Sequence, residues 1–206
     1  MIVSYLVQGL TLGLVVATPG PFQAYVVSRS LEAGWKRTLP ASFAPLLSDG
    51  PIILLMVLIL SQAPSWMLVG LRIAGGLYIL WLAVSSLRSA RNLEAEIPED
   101  ATAAPRTLAK AAMINILNPN PYIFWGTVGA RTLLEGWRSA PTAGIGFIAG
   151  FYATAITSLA TIIVIFGAAR QLGPRIARIL AVISSIALLG FGLFQLGTGI
   201  VAIARS

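Results

Sequence analysis

Two polar, proline-bearing interruptions, Pro19-Gly20-Pro21 and Asn118-Pro119-Asn120-Pro121, limit what this chain can fold into. They lie about half a chain apart. Each sits inside an apolar stretch, residues 2–27 and 108–130, and each stretch has the roughly 20 residues that a bilayer crossing needs. A proline inside such a helix removes a backbone donor and clashes with the preceding turn. Pro19 and Pro21 would free the carbonyls of Val15 and Ala17; Pro119 and Pro121 would free those of Asn115 and Leu117. In hydrocarbon an unsatisfied backbone group costs several kcal/mol, so such a break is tolerated only against protein or a water-filled cavity. Two interrupted spans at corresponding places in two halves are the sequence pointer to a transporter site. The plainer alternative is a pair of ordinary kinks, since proline is common in membrane helices.

The chain has 206 residues, of which 57% are hydrophobic and 10% charged, against about 25% charged in soluble domains. This composition predicts an all-α, polytopic membrane protein. The net charge of +7 comes from basic residues that fall between apolar stretches. That pattern reads as topology and lipid contact and not as nucleic-acid binding. With no Cys there is no disulfide or thiolate site, and with no His the commonest metal ligand and proton shuttle is missing. No cofactor and no metal site are expected. The first 28 residues hold no Lys or Arg, so a basic leader region is missing and the first span reads as retained.

Six spans are predicted, at about 3–27, 41–62, 67–87, 108–130, 142–168 and 179–203. Residues 1–206 form one transporter domain: a first repeat of about 1–90, a cytoplasmic loop of about 91–106, and a second repeat of about 107–206. The acidic, Ala- and Pro-rich stretch 94–105 reads as flexible. Of the 14 Lys and Arg residues, all but Arg72, Arg131, Arg138 and Arg205 fall on loops one, three and five. The positive-inside rule puts those loops in the cytoplasm and both termini outside. Three spans per half then give a 3+3 inverted repeat, with broken helices 1 and 4 meeting near the midplane. Gly9/Gly13 and Gly146/Gly150 have the spacing for close helix contact. Trp35, Trp66 and Trp137 lie near span ends, while Trp81 and Trp125 lie deeper.

Thr18-Pro19, Asn118-Pro119 and Asn120-Pro121 share a grammar: a capping side chain followed by proline, which suits the first position of a helix. Each break therefore reads as the start of a new half-helix. Its free N–H groups and positive dipole end would face a carboxylate. The carbonyls freed from the preceding half would face a cation. A zwitterion such as an amino acid suits both. The candidate substrate-binding residues are Thr18, Pro19, Gly20, Pro21, Gln23, Asn115, Asn118, Pro119, Asn120, Pro121 and Tyr122, with Tyr25 and Gln195 as further polar groups.

Asp49, in Ser48-Asp49-Gly50-Pro51, is the one acid deep in a predicted span. An intramembrane acid is a functional candidate by default, and Asp49 is the candidate proton-coupling residue. The alternative is a hydrogen-bonded structural Asp at a helix irregularity, with Pro45 one turn earlier. Enzyme readings find little: there is no His for a serine–histidine pair, no second deep carboxylate for an aspartyl dyad, and no Gly-rich phosphate loop.

At these residues the chain resembles the LysE/RhtB family of amino-acid exporters. The likeness is carried by Thr18-Pro19-Gly20-Pro21, by Ser48-Asp49, by Gly75-Gly76-Leu77-Tyr78-Ile79-Leu80-Trp81-Leu82, and by Asn118-Pro119-Asn120-Pro121-Tyr122-Ile123-Phe124-Trp125. It covers nearly the whole chain in span order and length. The resemblance implies a bacterial inner-membrane exporter of amino acids or small relatives, driven by the proton or membrane-potential gradient. The chain departs from the pattern at residues 41–47, bulky and proline-bearing where many relatives are Gly-rich. A single deep acid points to a neutral amino acid or another metabolite and not to a basic one. Expected partners are that small substrate and membrane lipids; a homo-oligomer stays open. Two other readings stand beside this one: a divalent metal-ion exporter of a related six-span family, and a non-transporting membrane assembly protein.

Overall fold

Proline sets where four of the helices begin. Pro21, Pro119, Pro141 and Pro174 each occupy the first residue of a helix, where a missing N–H costs nothing and the fixed φ is already helical. The computed structural model describes residues 2–18, 20–59, 65–91, 103–169 and 173–204. Among them every regular element is helical.

Helix α1 (Ile2–Gly13) tightens into a 3-10 turn (Leu14–Ala17), and α2 (Pro21–Ala33) follows. Gly34 ends α2 at φ 83°, a left-handed conformation that favours glycine, with its N–H on the Ser30 carbonyl at 3.0 Å. The short α3 (Trp35–Thr38) and a 3-10 turn (Leu39–Phe43) lead into α4 (Ala44–Ile59), which carries Pro51 inside it. Then come α5 (Ser65–Arg91), α6 (Ala103–Ile116) and α7 (Pro119–Phe124). A π-helical turn (Trp125–Gly129) joins α7 to α8 (Ala130–Ser139), and α9 (Pro141–Ala169) and α10 (Pro174–Ala204) complete the chain.

Among the described residues four helical runs are long and apolar enough to cross a membrane: Trp35–Leu58, Val69–Arg88, Pro141–Ala169 and Arg175–Ala204. A fifth is counted if Ile2–Ala17 and Pro21–Ala33, bent by 68°, form one broken span. The expected fourth span is not one straight helix. It is α6, 14 residues long, then the interruption at Leu117 and Asn118, then α7, the π turn and α8. Large apolar side chains cover the outside: Leu58 is 69% exposed and Phe194 71%. Such a surface suits lipid and not water.

α1 lies along α9 and α5 along α10, while α4 packs on α6. The first contact is as close as the glycine spacing suggests. A Cβ on Gly9 would overlap the Phe147 carbonyl, one on Gly13 the Phe151 carbonyl, and one on Gly150 the Leu6 carbonyl. The two larger buried clusters fill most of the interior. One gathers Val26, Ile79, Ile114, Leu159 and Leu188; the other gathers Ile52, Trp125, Phe147 and Phe151.

Polar contacts tie α2, α5, α6 and α10 together at one end. Ser28 Oγ donates to Glu32 Oε1 at 2.9 Å, and Ser86 of α5 bonds the same oxygen. Ser185 of α10 lies 3.3 Å from Ser28, and Arg29 Nε donates to Thr107 Oγ1 of α6 at 3.3 Å. Lys110 of α6 sits 5.4 Å from the Trp81 ring centroid of α5. These contacts gather basic residues of the first and third loops on one side of the molecule.

Candidate substrate site

Both interruptions are satisfied locally before they meet anything else. At the first, Thr18 is extended, and both its N–H (3.1 Å) and its hydroxyl (2.7 Å) donate back to the Val15 carbonyl. Gly20, also extended, occupies the cap position of α2, and its carbonyl accepts the Ala24 N–H at 2.9 Å. Thr18 therefore closes the preceding turn and does not cap the following helix, as the Thr-Pro pairing had suggested. Gln23 turns its side-chain amide back onto the Val16 carbonyl.

At the second interruption the expected cap is present. Asn118 is extended and its Oδ1 accepts the Asn120 N–H at 3.1 Å, with Pro119 at the first helical position. Asn120 lies inside α7 and is not a second cap. The Asn115 carbonyl accepts the Asn118 N–H at 3.2 Å, and the Leu117 carbonyl accepts Gln195 Nε2 of α10 at 3.3 Å. Three carbonyls freed by the prolines, those of Val15, Asn115 and Leu117, thus have protein donors.

Asp49 holds the one charge at the centre. It is 3% exposed, on α4. Asn115 Nδ2 donates to Asp49 Oδ1 at 2.7 Å and to Ser48 Oγ at 2.7 Å. Tyr152 OH of α9 reaches Asp49 Oδ2 at 3.4 Å. Ser48 is itself anchored, donating to the Ala44 carbonyl at 2.8 Å.

These groups surround a cavity of about 320 Å³, within the range of roughly 300–1,000 Å³ usual for small-molecule sites. Thr18, Gly20, Gln23, Asp49, Asn115, Asn118, Asn120 and Pro121 all line it. Pro21 and Pro119 are buried where their helices start and do not line it. Tyr122 is buried in the cluster around Ile52 and Met56. Pro19 lies outside the described residues. Tyr25 belongs to the core around Ile79 and Leu82, and Gln195 serves the Leu117 carbonyl.

The rest of the wall is apolar: Val15, Val16, Phe22, Ile123, Phe124, Trp125 and Phe151 among others. Trp125 is 1% exposed, whereas Trp81 is 55% exposed and does not line the cavity. The π turn that begins at Trp125 widens the helix there. Gly129 makes room for the indole, since a Cβ in its place would overlap that ring. Phe151 gave no signal in the sequence beyond its apolar stretch. Glu32 escaped too: it is 6% exposed at the end of α2, where the sequence placed a loop. Among the described residues no group of three His, Cys, Asp or Glu side chains comes together in a way that could hold a metal ion.

A family model described as LysE type translocator matches residues 14–198. No curated protein and no solved structure matches the chain.

Proposed function

The chain belongs to the LysE type translocator family, and from that premise we propose that it is a secondary exporter of amino acids or closely related metabolites. Family members are transporters and not enzymes, and the chain is a multi-pass membrane protein with a small-molecule substrate. The finer reading is a proton-coupled exporter of the bacterial inner membrane.

The observation that carries it is the convergence of two helix starts and one carboxylate on a single cavity. N–H groups at the start of α2 and of the run from α7 to α8 suit a substrate carboxylate. Asp49 suits its ammonium. In this reading proton and substrate compete for the Asp49 carboxylate. A substrate ammonium stabilises the ionised form and desolvation opposes it, so release of one partner favours capture of the other.

Several facts support six crossings in a 3+3 inverted repeat. If α1 corresponds to α6 and α4 to α9, then the α1–α9 contact and the α4–α6 contact exchange into each other. The α5–α10 contact exchanges into itself. Supporting cytoplasmic odd loops and outward termini is the gathering of Arg29 and Lys110 at one end.

The deciding experiment is efflux of a preloaded mixture of labelled amino acids from proteoliposomes, with a pH gradient imposed. The expected outcome is loss of at least one amino acid faster than from protein-free vesicles. If none leaves, the reading is wrong.

A further inference from the structure

The walls of the cavity do not suit every amino acid equally. Among the residues that line it, Asp49 is the sole charged one, and no Lys or Arg is present. A substrate ammonium at Asp49 uses the only negative charge. A second cation, as in lysine or arginine, would be desolvated with no anion to meet it, which is unfavourable in a partly buried site. An acidic side chain would bring a second negative charge beside Asp49 with no base to offset it.

The surface next to Asp49 is aromatic. Phe124, Trp125 and Phe151 line the same cavity as Asp49. Trp125 and Phe151 have ring centroids 5.1 Å apart, and Phe124 stacks on Phe151 at 5.4 Å. Phe147 backs Trp125 at 6.4 Å. Trp125 and Phe151 are each 1% exposed, so they form a fixed wall and not a mobile fringe. A substrate with its ammonium on Asp49 has its side chain beside these rings. Glycine or alanine would leave the exposed apolar lining, Val15 at 43% and Ile123 at 39%, still against water. The volume of about 320 Å³ equals roughly ten liquid waters at ~30 Å³ each, enough for an amino acid of leucine to phenylalanine size.

Resting on the export reading above, we infer that the cavity selects amino acids with a neutral, bulky side chain, aliphatic or aromatic. The α-carboxylate lies toward the helix starts, the ammonium toward Asp49 and the side chain against Phe124, Trp125 and Phe151.

The test is efflux of single labelled amino acids from proteoliposomes holding the full chain, under one imposed pH gradient: leucine, phenylalanine, alanine, lysine and glutamate. Leucine and phenylalanine should leave faster than alanine by about tenfold or more, the scale set by filling a hydrophobic pocket. Lysine and glutamate should leave no faster than from empty vesicles. Val15→Phe, at a cavity-lining position that is 43% exposed, narrows the apolar part without touching the core. It should cut phenylalanine efflux about tenfold more than alanine efflux. A folding defect would lower both alike. Efflux of lysine or glutamate above leucine, or an unchanged phenylalanine-to-alanine ratio in Val15→Phe, overturns the selectivity while leaving amino-acid export standing. Failure of every amino acid to leave overturns both.

Discussion

Asn115 Nδ2 donates to Asp49 Oδ1 at 2.7 Å, joining residues 66 positions apart. Asn115 stands three residues before the Asn118 cap, and Asp49 stands in the middle of α4. The polar centre of the cavity is therefore held by one residue from each half of the chain, and neither half contains it alone.

Asp49→Asn keeps the shape and much of the hydrogen bonding but fixes the charge at zero. The expected result is loss of pH-gradient-driven efflux by a protein that still inserts and folds. The measurement is proteoliposome efflux with and without the gradient, for wild type and variant. A variant that responds to the gradient as wild type does would make Asp49 structural.

Asn115→Leu tests the donor. It removes the 2.7 Å bonds to both Asp49 and Ser48. A lost hydrogen bond to a charged group costs about 1.5–3 kcal/mol, so the detergent-solubilised variant should melt at a lower temperature. Asn115→Gln, which keeps an amide, should recover only part of the loss because it is one methylene too long. Equal melting of Asn115→Leu and wild type would show that the bond contributes nothing to stability.

Pro21→Ala and Pro121→Ala restore N–H donors at the two helix starts. Each should let the helix extend backwards into the cavity, with transport lost and the protein still in the membrane. Full activity in both variants would reduce the interruptions to ordinary kinks.

Glu32 separates ion pairing from hydrogen bonding. Its carboxylate takes Ser28 and Ser86 hydroxyls on one oxygen and lies 3.5 Å from Arg29 on the other. Glu32→Gln keeps the hydroxyl contacts and should change stability little, because Arg29 is 30% exposed and solvated. Glu32→Ala leaves buried hydroxyls without their acceptor and should cost on the order of 2–3 kcal/mol. Thermal melting of the two variants side by side checks this; equal melting points would mean that the serines find other partners.

Orientation has its own test in a chain without native Cys. Single cysteines at Ser65 and Ser139 should react with an impermeant reagent from outside, and one at Thr102 should not. The reverse pattern would invert the topology. Ser65 and Ser139 reacting from opposite sides would break the 3+3 arrangement.

What the sequence made legible was local. Proline pairs inside apolar stretches located both helix starts, the glycine spacing located the α1–α9 contact, and an acid among apolar residues located Asp49. What stayed hidden depended mostly on partners distant in sequence. Glu32 reads as a loop residue because a hydropathy window ends the first span near 27, yet α2 continues to Ala33. Ser86 of α5 joins Ser28 on its carboxylate there, and no local pattern announces that distant partner. Thr18 reads as a helix cap because Thr-Pro is common at helix starts, but its hydroxyl reaches Val15 first. Likewise nothing near Gln195 in sequence indicates that it serves a carbonyl of the second interruption.

The glycine seam between α1 and α9 makes a lever. Backbone lies on backbone at Gly9, Gly13 and Gly150, so there is no side-chain layer to let one helix slide on the other, and α1 follows α9 when α9 tilts. The far end of α1 leads through its 3-10 turn to Val15, Val16 and Thr18 on the cavity wall. With 12 residues in α1 the arm is about 18 Å long, and a tilt of about 5° moves its tip by roughly 1.5 Å. A small lean of the fifth apolar stretch is thus felt at the mouth of a site built from the first.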